Sequence, residues 1–190
     1  MTTIAFLGTS GGVGVTTLVA LTFTGLRDAG AAPWVFAPDH SDTLDRAHHA
    51  ETHHADRRIA LWDAGVLRPD ASLASLKSSD VRLVLVAPAT PVGAADAAAA
   101  LERIAEADQA LAATASLVLT GAHGRPRRAP GGGAFGVPVH RIPHDSALVR
   151  PGPVAADREL RRGTRRAIQG WREWVAGLSA TDHTDLKPQK

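Results

Sequence analysis

The stretch Thr9-Ser10-Gly11-Gly12-Val13-Gly14-Val15-Thr16-Thr17 combines three glycines with two adjacent hydroxyls, a pattern suited to holding phosphate. Glycines let successive backbone N–H groups turn inward toward one anion, and a following helix N-terminus adds partial positive charge. The Thr16 hydroxyl is of the right type to ligate Mg²⁺, and Asp63 could hold the same ion through water. Asp39 could orient an attacking water. Val15, however, sits where a lysine would reach the β- and γ-phosphates, so the main point charge for phosphoryl transfer is missing. Gly11, Gly12, Val13, Gly14, Val15, Thr16 and Thr17 are therefore the candidate nucleotide-binding residues. Thr16 and Asp63 are the candidate metal ligands, and Asp39 and Asp63 the only candidates for catalysis. The plainer alternative for both acids is helix capping or loop hydrogen bonding.

The elements that must position these groups follow from hydropathy. Apolar runs predict strands at Ile4–Leu7, Pro33–Ala37, Arg57–Trp62, Val81–Ala87, Ser116–Leu119 and Val137–Ile142. The central ones, such as Leu83-Val84-Leu85-Val86, are continuously apolar, as befits strands covered on both faces. Helical periodicity covers Gly14–Ala29, the alanine-rich Ala94–Ala113 and Ala155–Leu178. Strands alternating with helices predict an α/β fold, a doubly wound and mostly parallel sheet flanked by helices. One domain is expected over 1–178, with a disordered tail at 179–190 and an exposed arginine- and glycine-rich loop at His123–Gly136.

The glycine-rich stretch resembles the deviant Walker A motif of the ParA/MinD family of P-loop ATPases. The family's signature lysine falls on Ser10, its Walker lysine on Val15 and its first glycine on Thr9, while the Gly-Gly-Val-Gly core and both threonines stand. Weaker correspondences follow in order. Trp34-Val35-Phe36-Ala37-Pro38-Asp39 resembles the strand ending in an Asp-x-Asp pair, with its first acid replaced by Ala37. Leu61-Trp62-Asp63-Ala64-Gly65 resembles the Walker B strand, and Leu83–Pro91 the apolar strand leading to Pro-x-x-Pro. Leu119-Thr120 stands where the family often has an Asn that reads adenine. Val137–Asp145 resembles the late strand with its Ile-Pro-x-Asp ending. The resemblance spans roughly residues 2 to 178. It implies a P-loop NTPase-like fold of the ParA/MinD type, ATP or ADP with Mg²⁺ bound weakly or not at all, and a protein partner that is a second copy or an active relative.

Composition narrows the classes. The 190 residues carry a formal net charge of +2, no cysteine and 44% hydrophobic residues, excluding disulfides, thiolate metal sites and a cysteine nucleophile. No apolar run approaches the roughly 20 residues that span a bilayer. Ile4–Leu7 runs straight into the glycines rather than into a secretory cleavage site, so the expected location is cytoplasmic, with peripheral attachment to membrane or nucleoid as a variant. Lys77, Lys187 and Lys190 are the only lysines. A drift from lysine to arginine would have kept the charge that Val15 discards.

Two further clusters stand out. His48-His49 and His53-His54 flank Glu51, and a helical spacing would place His49 and His53 on one face for a divalent metal. A pH-sensitive patch or a plain solvated linker are the other readings. The last helix combines Arg158, Arg161, Arg162, Arg165, Arg166 and Arg172 with an apolar stripe of Leu160, Ala167, Ile168, Trp171, Val175 and Leu178. Packing of the stripe on the sheet, with solvated arginines, competes with contact to DNA phosphates or an anionic membrane through Arg161, Arg162, Arg165 and Arg166.

The leading expectation is a non-hydrolysing binding, scaffold or regulatory module of a positioning or partitioning system, a pseudo-ATPase. The alternatives are a weak ATPase that recruits Arg125, Arg127 and Arg128 or a partner's arginine, and a DNA- or membrane-associating module.

Overall fold

The computed structural model describes residues 2–37, 59–68, 73, 76, 80–122 and 132–181. Six strands, β1 (Thr2–Gly8), β2 (Trp34–Phe36), β3 (Ile59–Val66), β4 (Val81–Pro88), β5 (Ser116–Thr120) and β6 (Val139–Ile142), form one sheet in the order β2-β3-β1-β4-β5-β6. Every pairing is parallel. All six expected strands are present, and no antiparallel strand joins them among the described residues. Four helices flank the sheet there: α1 (Val15–Asp28), α2 (Pro91–Ala107), α3 (Gln109–Ala113) and α4 (Arg162–Thr181).

The central strands are apolar on both faces because both faces are covered. Ile4 and Phe6 of β1, Val84 and Val86 of β4 and Val118 of β5 pack with Leu18, Leu21 and Phe23 of α1 and Ile168, Trp171 and Val175 of α4. The alternate residues Ala5, Leu7, Leu83, Leu85, Leu117 and Leu119 pack with Ala97, Leu101 and Ile104 of α2 and Leu111 of α3. This two-sided core is the doubly wound α/β arrangement, consistent with a P-loop NTPase-like fold. The order reverses around β1, whose carboxyl end therefore opens on a crevice of the kind in which such sheets bind ligands.

Several element boundaries depart from the sequence expectation, those of the helices most. The alanine-rich helix is split, because Asp108 leaves the helical conformation (φ −160°) and its carboxylate accepts the Leu111 N–H at 3.0 Å, capping α3. Aspartate favours such a cap over a helix interior. The last helix starts at Arg162, not Ala155. Before it, Asp157–Glu159 form a 3-10 turn, and Leu160 is extended so that its side chain enters the core. That segment is tied down by Arg172, which pairs with Asp157 at 2.8 Å, and by Arg165, whose Nε donates to the Asp157 carbonyl at 2.9 Å. The helix also runs on to Thr181, three residues into the expected tail; residues 182–190 lie outside the described residues. Similarly, Gly132–Phe135 within the expected loop form a 3-10 turn, with Phe135 packed against the α2 side of the core.

Helix α4 lies on α1 and β6. The Trp171 indole donates to the Thr22 hydroxyl at 2.9 Å, which in turn donates to the Leu18 carbonyl at 2.7 Å. Gly25 makes this approach possible: a Cβ there would come within 2.5 Å of Arg172 Cγ. Among the described residues no helix is long and apolar enough to cross a membrane.

Candidate functional site

Strand β1 delivers the chain at its carboxyl end into the loop Gly8–Gly14. Gly12 (φ 72°) and Gly14 (φ 93°) adopt left-handed conformations that side chains disfavour. Gly8 is required for another reason, since a Cβ would meet Val15 Cγ2 at 2.9 Å and Val13 Cγ2 at 3.0 Å. Gly14 is the N-cap of α1 and contributes no side-chain cap. The first intrahelical bond shown there, Leu18 N–H to Gly14 carbonyl at 2.9 Å, leaves the amides of the first turn without helical partners. The loop is held from below by Thr9 N–H to the Val86 carbonyl at 2.9 Å. From the side, the Thr120 hydroxyl at the end of β5 donates to the Val13 carbonyl at 2.6 Å.

Register places the acid. Phe6 of β1 lies opposite Asp63 of β3, and the pairing then shifts before Gly8 meets Val66, near Gly65 (φ 72°). Asp63 is thus not the last residue of its strand, which runs on to Val66. Its carboxylate is buried, with 1% of the residue exposed. One oxygen accepts from the Thr16 hydroxyl at 2.9 Å and the other from the Gly65 N–H at 3.2 Å.

The opposite wall comes from the ends of β5 and β6. Gly121 donates to the Ile142 carbonyl at 2.8 Å and accepts from His144 Nδ1 at 2.9 Å. A side chain at Gly121 would put Cβ 2.2 Å from the His144 backbone nitrogen. Asp145 follows, accepting N–H bonds from Ala147 at 3.1 Å and Arg161 at 2.9 Å. Burial raises its pKa, but those backbone N–H groups, the Thr164 hydroxyl and the Arg161 charge outweigh burial and hold the carboxyl below its ordinary value.

Between the walls lies a cavity of about 430 Å³, lined by Ser10–Leu18, Leu21, Asp63, Thr120, Gly121 and Ile142–Asp145 among others. The structure therefore brings Gly11, Gly12, Val13, Gly14, Val15, Thr16, Thr17 and Asp63 together on one cavity. Asp39, the His48–His54 cluster and Arg125, Arg127 and Arg128 lie outside the described residues. Arg161, Arg162, Arg165 and Arg166 are exposed at the start of α4, and Arg165 is engaged with the Asp157 and Leu160 carbonyls. From sequence, Thr120 is marked only by standing at the family's Asn position, and Gly121, His144 and Asp145 carry no assigned role. The Ile-Pro-x-Asp ending was the only signal for the last two.

No protein-family model matches this chain, and no curated protein matches it.

The donor chemistry fits Mg²⁺ in part. Thr16 and Asp63 supply adjacent hard oxygens, and this ion usually needs only one or two protein carboxylates beside water and substrate oxygens. Among the described residues no group of three or more His, Cys, Asp or Glu side chains gathers to hold a metal alone. For a triphosphate, no lysine or arginine lines the cavity among the described residues, and Val15 is 8% exposed, its side chain part of the core beneath α1.

Proposed function

We propose that this chain is a ParA/MinD-like binding or scaffold module whose nucleotide site has lost its catalytic charge. The supporting observation is the coexistence of a glycine-built cradle, paired Thr16 and Asp63 (2.9 Å), and, among the described residues, a cavity wall with neither lysine nor arginine. The cradle depends on backbone and small residues, so it survives the loss of one side chain, whereas stabilisation of a phosphoryl-transfer transition state does not. Fold and catalysis are separable, and a dimer or cargo surface outlives the chemistry.

Calorimetric titration with Mg²⁺-ATP, wild type beside Val15→Lys, tests this reading. The expected result is weak or undetectable binding to wild type, a gain of about tenfold or more in Val15→Lys, and no turnover by wild type. Turnover by wild type that disappears in Thr16→Ala or Asp63→Ala would establish an active ATPase instead.

A second reading rests on the exposed arginines at the start of α4. Their association with DNA or anionic vesicles would be salt-sensitive and lost on changing Arg161, Arg162, Arg165 and Arg166 to Glu. Binding that survives this reversal removes it.

A further inference from the structure

Resting on the nucleotide-site reading, we infer that His144 is a ligand-binding residue of this cavity, and that an anionic nucleotide enters together with a proton on its ring. The ring is anchored by its other nitrogen. Nδ1 lies 2.9 Å from the Gly121 carbonyl, and a carbonyl oxygen only accepts, so Nδ1 carries the hydrogen. In the neutral ring Nε2 is then a bare acceptor, and it is the atom that takes up a proton. The buried polar atoms without a partner include Nε2 of His140 but not Nε2 of His144. Among the described residues nothing bonds to Nε2 of His144. That nitrogen is open to solvent, and to a ligand in the cavity that the residue lines.

The wall lets this charge come and go without moving the ring. The Gly121 N–H donates to the Ile142 carbonyl at 2.8 Å, and a Cβ at Gly121 would lie 2.2 Å from the His144 backbone nitrogen, so the two segments are closely docked. The Nδ1 bond is made in both protonation states. Protonation at Nε2 therefore adds a donor and a full positive charge at a preset position. Histidine is the side chain that ordinarily changes charge between about pH 5 and about pH 8. The other titratable groups on this cavity, among the described residues, are Asp63 and Asp145, with Arg161 beside the latter. Asp145, held below its ordinary value, stays ionised across that range. His140, the other described histidine, lies against Trp171 and Trp174 instead. The loop amides offer an anion only partial positive charge. A protonated His144 on the opposite wall gives the same ligand a charge-assisted partner. By linkage, a ligand that prefers the protonated ring also draws the proton on.

The test is calorimetric titration of the intact protein with ADP, in buffers of differing ionisation enthalpy, wild type beside His144→Asn. Asparagine keeps an N–H for the Gly121 carbonyl and has no titrating nitrogen. Wild type should bind ADP about fivefold or more tighter at about pH 6 than at about pH 8, with proton uptake on binding. Comparison with His144→Asn, which should lose both effects, cancels the protons carried by ADP itself. Nitrogen-15 NMR of the wild-type imidazoles supplies a second readout. Saturating ADP should raise the titration midpoint of His144 and leave that of His140 in place. Should the variant not fold, this ring titration decides alone. Binding no tighter in acid, an equal pH effect in folded His144→Asn, or a His144 titration unmoved by ADP each overturns the proposal and leaves the nucleotide-site reading standing. Failure of wild type to bind at either pH also overturns it. ADP binding regained in Val15→Lys then keeps the nucleotide-site reading, and failure of both proteins overturns both.

Discussion

Thr120 shows how single residues build this site. Its hydroxyl reaches across 107 positions of sequence to fix the Val13 carbonyl at 2.6 Å. Thr120→Val removes that donor and keeps the shape, leaving a carbonyl without its partner at a cost of about 1–3 kcal/mol. Urea unfolding should show the loss, and Thr120→Ser should restore most of it. The legible residues are those whose chemistry is local. The glycines and threonines of 9–17 announce a cradle because their spacing is the mechanism. The Thr120 bond to Val13 and the Asp145 bond to Arg161 were hidden, because the partners lie 107 and 16 residues away; the resemblance marked both residues but neither bond. Val15 was legible as a missing charge, but not as a core residue, since its packing depends on how closely Gly8 passes.

Elements were more readable than their ends. The six strands follow from apolar runs, because strands covered on both faces carry no competing signal. Helix boundaries required side-chain competition to be resolved. Asp108 could have stayed within an alanine helix, and instead caps a new one. Asp108→Ala should therefore cost about 0.5–2 kcal/mol while raising helical content in far-ultraviolet circular dichroism as α2 and α3 merge. In α4 the outcome turned on Leu160, whose burial holds the chain extended until Arg162. The helix packs by its apolar stripe, with Ile168 and Trp171 fully buried, so Trp171→Ala should cost about 3–5 kcal/mol. Chemical denaturation checks this, and a shift below about 1 kcal/mol would mean α4 is docked far less firmly.

At the scale of the molecule, half-buried His140 and buried Asp145 both make stability depend on acid. His140 of β6 lies 5.2 Å from the Trp171 ring and 4.8 Å from that of Trp174, with its Nε2 buried and without a partner. Burial lowers its pKa from 6.5. The unfolded chain then takes up a proton first, so stability is lost as pH falls through 6.5 toward the folded value. Asp145 acts in the same direction at lower pH. Its pKa is held below 3.8, and the stability it contributes disappears as pH falls from there through its folded value. Melting temperature should fall as pH drops through 6.5, and His140→Phe should flatten that step while leaving the more acidic one. The same region gives the protein an optical identity. Trp171 and Trp174 stack with centroids 5.0 Å apart and ring planes 29° from parallel. Two indoles this close share their electronic excitation, and the twist between them makes the shared transition chiral. Their paired bands in the ultraviolet should vanish in Trp174→Phe, making the docking of the last helix a spectroscopic signal that needs no label.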